Sequence, residues 1–196
     1  MKRRSSSLWV LSGALLITTT AHAHPGSAWH EGFSSGVLHP LVSWDHAIVM
    51  VAVGLWGSTL GIRSMVALPL VFMTLMTAGI VAASSGFSLP AENAGTAASA
   101  LVLGTAVALG VRAPLTVSMP LGGLFAFFHG HAHGENLLTA AHPAAWALGL
   151  LAATLALHAL GVVVGRAASS PAARVVVRSA GLLITAGGLA ALIGIN

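Results

Sequence analysis

The sequence predicts an all-α integral membrane protein, a bundle of six transmembrane helices that follows a cleaved N-terminal signal peptide. The first observation is composition, since 56% of the 196 residues are hydrophobic and only 6% are charged, whereas soluble domains are near a quarter charged. The second is hydropathy, because the apolar residues form six stretches that are each long enough to cross ~30 Å of hydrocarbon. No linker interrupts residues 24–196, so we predict one membrane domain.

Residues 1–23 have the three parts of a secretory signal peptide. Positions 2 to 4 are basic, positions 8 to 17 are apolar, and Ala21-His22-Ala23 is a small-x-small cleavage site. We predict cleavage after Ala23, which makes His24 the first mature residue. An uncleaved anchor is the alternative, although its apolar part is shorter than the ~20 residues of a span.

Residues 24–38 are polar and are predicted to form a short amphipathic or irregular segment on the outer surface. Prolines agree with the spans that follow, because Pro40 and Pro143 stand at first-turn positions, where a missing N–H costs nothing. Pro69 and Pro120 lie deeper, where they bend a helix. The small-residue spacings Gly57-xxx-Gly61 and Gly161-xxx-Gly165 predict close helix packing. The predicted spans are residues 40–61, 65–83, 95–111, 115–133, 144–164 and 175–195.

Charge orients these spans. If the mature N-terminus is outside, Glu92 and Glu135 fall in outer loops, and every arginine after the signal peptide falls inside, as the positive-inside rule requires. We therefore expect a bacterial inner-membrane protein with both mature termini outside. The inner arginines are Arg63, Arg112, Arg166, Arg174 and Arg178.

Several functions are disfavoured by what the sequence lacks. There is no cysteine, so a metal would be held by nitrogen and oxygen ligands. The formal charge of +4 is carried by few residues in short loops, which indicates topology rather than nucleic-acid binding. No Gly-x-x-x-x-Gly-Lys-Ser/Thr loop is present, so the chain is not predicted to hydrolyse ATP.

An acid and a base interrupt the first predicted span. A charged residue at the centre of a membrane helix costs about 2.5–3.5 kcal/mol, so Asp45 and His46 need a function. In a helix that begins at Pro40 they lie ~8 to 9 Å along the axis. His39 and His46 would share one face of that helix, with Asp45 offset by ~100°. One helix therefore does not supply all three groups to one ion, and partners from another helix are required.

Those partners are predicted at the outer end of the fourth span, where residues 129–135 read His-Gly-His-Ala-His-Gly-Glu. His129 and His133 are four residues apart and share a helical face. His131 faces away unless the adjacent glycines let the helix end unwind, which is tolerated where backbone lines a polar cavity. Imidazoles and carboxylates that converge from distant sequence are what a transition-metal site requires.

Other histidines have ordinary explanations beside a metal-binding one. His24 and His30 form either an outer metal-capturing segment or a solvated tail. His158 is predicted as a hydrogen-bonded packing residue, with an exit relay for metal as the alternative. His142 is predicted as a loop residue.

Two motifs resemble one known family. Residues 39–56, His-Pro-Leu-Val-Ser-Trp-Asp-His-Ala-Ile-Val-Met-Val-Ala-Val-Gly-Leu-Trp, resemble the first-span signature of the HupE/UreJ family of nickel and cobalt permeases. Residues 125–135, Phe-Ala-Phe-Phe-His-Gly-His-Ala-His-Gly-Glu, are similar to its second motif. Ser43 departs from the pattern, since it stands where the family has glycine.

The resemblance implies a transporter rather than an enzyme, with Ni²⁺ or Co²⁺ as its substrate and no permanently bound cofactor. It also implies a link to the metal supply of hydrogenase, urease or cobalamin pathways. Glu135, which ends the second motif, is a further ligand candidate. The metal-binding role that the motifs imply falls on His39, Asp45, His46, His129, His131 and His133.

Other readings stay open. A membrane metal sensor or storage protein would use the same ligands without transport, and a haem protein would use paired axial histidines such as His46 and His158. A rhomboid-like protease needs Gly-x-Ser-Gly at a helix start, which residues 32–35 do not match. The sequence does not distinguish nickel from cobalt, because both suit imidazole and carboxylate, and it leaves homo-oligomerisation open.

Overall fold

The computed structural model describes residues 25–194, with side chains from Gly32 onward. The predicted signal peptide and His24 lie outside the described residues, and so does the side chain of His30. The described part of the chain folds into helices and contains no β-strand. The helices are α1 (Pro25–Val42), α2 (Trp44–Leu60), α3 (Ile62–Ser84), α4 (Glu92–Leu109), α5 (Leu115–His131), α6 (Gly134–Thr139), α7 (Pro143–Ala167) and α8 (Pro171–Leu192).

Each of the six predicted spans overlaps most of one long helix, namely α2, α3, α4, α5, α7 or α8. Among the described residues, α3, α7 and α8 are long and apolar enough to cross a membrane. The bent pair α1–α2 raises that number to four if it counts as one span. The all-helical membrane class is therefore confirmed, while the count of six spans stays a prediction.

The first predicted span is not one helix from Pro40, so that prediction was wrong. α1 continues through Pro40 to Val42, and α2 begins at Trp44 after an 83° bend. Proline weakens the end of α1, because its ring removes one helical hydrogen bond and crowds the preceding turn. Ser43 then leaves the helical region of the backbone with φ −84° and ψ 81°.

The alternative of an irregular segment is also corrected, because residues 25–38 are part of the 18-residue helix α1. α1 packs along α7 through two glycines. A Cβ atom at Gly36 would meet the backbone carbonyl of Trp146, and one at Gly149 would meet the carbonyl of Phe33. The two backbones approach this closely only because both positions lack a side chain.

The same kind of contact joins three more helix pairs. The close packing predicted for Gly161 is confirmed, since a Cβ atom there would meet the backbone of α2. The same prediction is wrong for Gly61, because it lies between α2 and α3 with φ 107° and has nothing within 4 Å of its Cβ position. The paired glycines are Gly54 and Gly161 for α2–α7, Gly79 and Gly130 for α3–α5, and Gly104 and Gly181 for α4–α8.

The two ends of the bundle differ in charge. Asp45 and Glu92 lie in the first turns of α2 and α4, whereas Arg63 follows the far end of α2 and Arg112 follows the far end of α4. Between the two ends the core is apolar and is built around side chains such as Trp56 and Phe72. The charge separation on which the predicted topology rests is therefore present in the fold.

Candidate metal centre

The corner between α1 and α2 brings two predicted ligands to one neighbour. His39 lies near the end of α1 and His46 at the start of α2, with the 83° bend between them. A hydrogen bond of 3.1 Å joins His39 Nε2 to His133 Nδ1, and the ring centroids of His46 and His133 are 4.9 Å apart. The bend therefore brings both His39 and His46 to His133, which a single straight helix would not do.

His129 completes a cluster of four rings. Its side chain is fully buried, and its ring centroid lies 4.8 Å from that of His46. The next residue, Gly130, faces the backbone of Met76, so α5 packs closely against α3 beside His129. We refer to His39, His46, His129 and His133 as the imidazole cluster.

The hydrogen bonds of His129 orient its ring. Ser99 Oγ donates to the carbonyl of Thr96 at 2.5 Å, and it lies 2.7 Å from His129 Nε2. Because the single hydroxyl proton is used on Thr96, His129 Nε2–H is the donor to Ser99. The lone pair of His129 Nδ1 is then left for another partner, and this pattern is typical of a metal-ligating imidazole.

Several nitrogens of the cluster are buried without a hydrogen-bond partner in the described part of the chain. They are Nδ1 of His129 and both ring nitrogens of His46. His46 Nδ1 lies 3.2 Å from Asp45 Oδ1, but the alignment is not that of a hydrogen bond. A buried polar group without a partner costs about 1–3 kcal/mol, so the cluster is not an arrangement that favours stability.

Asp45 connects the cluster to a polar cavity of about 370 Å³. Its side chain is 49% exposed, and the cavity is also lined by His46, Asn93 and Thr96. Asp45 lies in the first turn of α2, where the helix dipole stabilises a carboxylate by about 0.3–1 kcal/mol. The break at Ser43 therefore lowers the cost of placing this charge in the bundle.

A second cavity of about 430 Å³ reaches the cluster from the side of His39. Its lining includes Asn136, His142 and Trp146. His142 occupies the N-cap position before α7, outside the helix, in agreement with its prediction as a loop residue. The imidazole cluster therefore lies between two cavities.

His131 does not join the cluster. Its Nδ1 contacts the Glu92 carboxylate, and its Nε2 donates to the carbonyl of Phe87 at 2.7 Å. Both partners are acceptors, so both ring nitrogens carry protons and neither has a lone pair for a metal. The cause is helix geometry, since α5 stays helical through His131 and the ring faces away from His129.

Glu92 also lies in this region, although the sequence pattern does not indicate it as a ligand candidate. It lines a cavity of about 370 Å³ together with His131 and Glu135. Its only sequence signal is that it is one of four acidic residues in the chain and falls in a predicted outer loop. Glu135 is thus placed beside Glu92 and His131 rather than in the imidazole cluster.

His158 lies on α7, and an aromatic ring connects it to the cluster. The Phe72 centroid is 5.1 Å from that of His158 and 6.0 Å from that of His129. Both nitrogens of His158 and the hydroxyl of Thr154, one turn away, are buried without a partner among the described residues. The hydrogen bond expected of a packing histidine is therefore absent there.

The rings of the cluster contact one another mainly edge to face, as in the His46–His129 pair at 88°. In the described residues, no group of three or more His, Asp or Glu side chains is arranged to hold a metal ion. Binding a cation would require rotation of these side chains. What the arrangement provides is a set of imidazole lone pairs beside a carboxylate.

Comparisons with known proteins agree with the two motifs. A family model described as HupE / UreJ protein matches residues 12–191. Protein HupE of Rhizobium leguminosarum bv. viciae is 36% identical over 189 residues, which cover 96% of this chain and 98% of that protein. No solved structure matches the chain. Because the match extends over nearly the whole sequence and includes both His motifs, the chain belongs to the HupE/UreJ family.

Proposed function

We propose that this protein is a secondary transporter that carries Ni²⁺ or Co²⁺ from the outer side of the inner membrane to the inside. The observation that carries the proposal is the imidazole cluster, whose buried and unpartnered nitrogens adjoin a cavity that holds Asp45. A transition-metal cation would be a partner for these lone pairs. The resemblance of both motifs to nickel and cobalt permeases supports the choice of metal.

The ligand types agree with this choice. Imidazole nitrogen and carboxylate oxygen suit Ni²⁺ and Co²⁺, whereas the thiolates that favour softer metals are absent because the chain has no cysteine. In such a protein the metal is the transported substrate, and it would supply hydrogenase, urease or cobalamin pathways.

The arrangement of polar groups favours a route through the bundle. Asp45 and its cavity attract the hydrated cation, and the imidazole cluster replaces its water. Phe72 separates the cluster from His158, which is the next imidazole along the contacts. An inside-negative potential contributes about 4.6 kcal/mol per 100 mV for a dication, from ~2.3 per elementary charge, so no coupled ion is needed.

Uptake of ⁶³Ni or ⁵⁷Co by cells that express Asp45→Asn or His46→Ala tests the proposal. We expect each variant to lose uptake roughly tenfold or more, since a lost hydrogen bond or ligand contact to a charged group costs about 1.5–3 kcal/mol. Ser85→Ala is the control at the same end of the bundle, because this exposed hydroxyl bonds only to its own helical turn. Normal uptake by both site variants at normal membrane abundance would refute the proposal.

A second measurement, on the purified protein, distinguishes a transporter from a metal sensor or storage protein. In proteoliposomes with an imposed inside-negative potential, a transporter accumulates the metal in the lumen beyond the amount that the protein binds. Metal bound only in proportion to the protein, with none accumulated, would favour storage or sensing instead.

A further inference from the structure

A separate polar cavity of about 280 Å³ lies at the end of the bundle remote from the imidazole cluster. It is bounded by the last residues of α2, α4 and α7 and by the first turns of α8. Its lining includes Arg112, Arg174 and Arg178, together with Ser58 and Thr59. We refer to it as the arginine cavity; it has no part in the proposed metal route.

Arg112 is held at the cavity by a structured loop. α4 ends at Gly110 in the left-handed conformation with φ 64°, which glycine adopts without strain. The buried Trp56 indole then donates to the carbonyl of Val111 at 2.9 Å. This loop is therefore anchored to α2 directly beside Arg112.

The other two arginines are presented by α8. Ser170 caps this helix, since its hydroxyl accepts the N–H of Ala173 at 3.1 Å. Arg174 and Arg178 follow at a spacing of four residues and therefore share a face. Arg174 donates to the carbonyl of Ser169 at 2.6 Å, while Arg178 lies over Gly110 at the end of α4.

The positive charge at this cavity is not balanced within the described part of the chain. The two ion pairs found there are His46–Asp45 and His131–Glu92, so no arginine is paired with a carboxylate. Like charges at a spacing of four residues repel and destabilise a helix. The carboxyl ends of three helices each contribute only about half a negative charge, which leaves a net positive charge from three guanidinium groups.

We propose that the arginine cavity binds a phosphate group, and that the group belongs to an anionic phospholipid at the membrane surface. Guanidinium groups match phosphate oxygens in geometry as well as charge, and basic pockets between transmembrane helices bind anionic headgroups. The volume is well above the ~30 Å³ of one water molecule. The positive-inside rule alone does not require this convergence, because Arg63 and Arg166 satisfy the rule without lining the cavity.

The test uses the purified full-length protein in neutral detergent and the double variant Arg112→Gln/Arg178→Gln, which leaves the Arg174–Ser169 bond in place. Arg63→Gln/Arg166→Gln is the matched control, since it removes equal charge at the same end but outside the cavity. Phosphatidylglycerol at ~100 times its Kd is expected to raise the Tm of the wild type and the control by roughly 5 to 10 °C. The cavity variant should lose this shift, and phosphatidylcholine should produce none in any protein.

Native mass spectrometry of the same samples should show phosphatidylglycerol retained by the wild type and the control but not by the cavity variant. If the double variant does not fold, Arg178→Lys keeps the charge but not the planar fork, and it should retain less lipid than the wild type. An equal lipid response in cavity and control variants would overturn the proposal. Inorganic phosphate that reproduces the whole Tm shift would reassign the site to free phosphate and overturn the lipid assignment.

Discussion

His46, His129 and His158 share an unusual environment, because each has at least one buried ring nitrogen that lacks a hydrogen-bond partner among the described residues. Each such nitrogen lowers stability by about 1–3 kcal/mol. A site that is destabilised until its ligand binds is a recurrent feature of functional proteins. These unpartnered imidazole nitrogens therefore favour the proposed metal-binding role over a packing role.

His158→Leu tests that distinction. If the imidazole serves transport, replacing it by an apolar side chain of similar size should raise the free energy of unfolding by about 1 kcal/mol, because an unsatisfied buried group is removed. Metal uptake should fall at the same time. Thermal unfolding in detergent and ⁶³Ni uptake are the two measurements.

Thr154→Val is the matched control for this substitution, since it removes an unpartnered hydroxyl one turn away and leaves the imidazole in place. It should be at least as stable as the wild type and should retain uptake. Loss of stability in His158→Leu with uptake preserved would instead assign a structural role to His158.

At the scale of elements, the site depends on how closely α5 packs against α3. Gly130 faces the backbone carbonyl of Met76, and Gly79 faces that of Phe127. His129 immediately precedes Gly130, so the position of its ring is set by this contact. Gly134 contributes in the same way one turn later, where it faces Ala83.

Gly130→Ala is predicted to separate the two helices. A methyl group there meets backbone, which cannot rotate away as a side chain would, so we expect destabilisation of about 1–3 kcal/mol. Uptake should fall as well, because His129 and His133 move away from His46. The Tm in detergent and the uptake rate report the two effects.

Leu124→Ala is the control on the same helix, because Leu124 is 53% exposed and faces away from the helix contact. It should leave uptake unchanged. A Gly130→Ala protein with wild-type Tm and uptake would show that the site tolerates a wider spacing of α3 and α5.

At the scale of the whole molecule, opposite charges occupy opposite ends. Asp45 at one end and Thr59 beside the arginine cavity are fourteen residues apart on α2, which is about 21 Å at 1.5 Å per residue. The carboxylates with described side chains lie near the imidazoles, and the arginines lie at the other end. This separation suits a protein that receives a cation on one side and contacts anionic membrane surface on the other.

The absence of cysteine allows a direct test of orientation with single introduced cysteines. In spheroplasts, a membrane-impermeant maleimide should label Thr139→Cys, near the imidazole cluster. It should label Arg63→Cys only after the membrane is disrupted. Both positions are exposed in the fold, so access depends on the membrane rather than on burial.

The reverse labelling pattern would invert the predicted topology. Labelling of both positions in intact spheroplasts would place them on the same side, so that α3, α4 and α5 would not all cross the membrane. Retained ⁶³Ni uptake by each single-cysteine protein is the check that the fold is preserved.

Composition and hydropathy are sufficient to predict an all-helical membrane protein and to locate its long helices, because both depend on local sequence. The two His motifs are likewise visible in the sequence, as is the confinement of arginine to alternate loops. The sequence does not show the bend at Ser43, the absence of His131 from the imidazole cluster, or the lack of a hydrogen-bond partner for His158 among the described residues. These features depend on which neighbours a side chain meets.

Those neighbours are set by glycine contacts between helices distant in sequence, such as Gly54 with Gly161, and by the backbone angles at Ser43. The spacing of His39 and His46 predicts one helical face, yet the fold places them on two helices around His133. Likewise the arginines that the sequence assigns to one side of the membrane form a cavity only where α8 packs beside the end of α4. Which imidazoles and which arginines act together is thus a property of tertiary packing, since no local pattern encodes the contacts that bring them together.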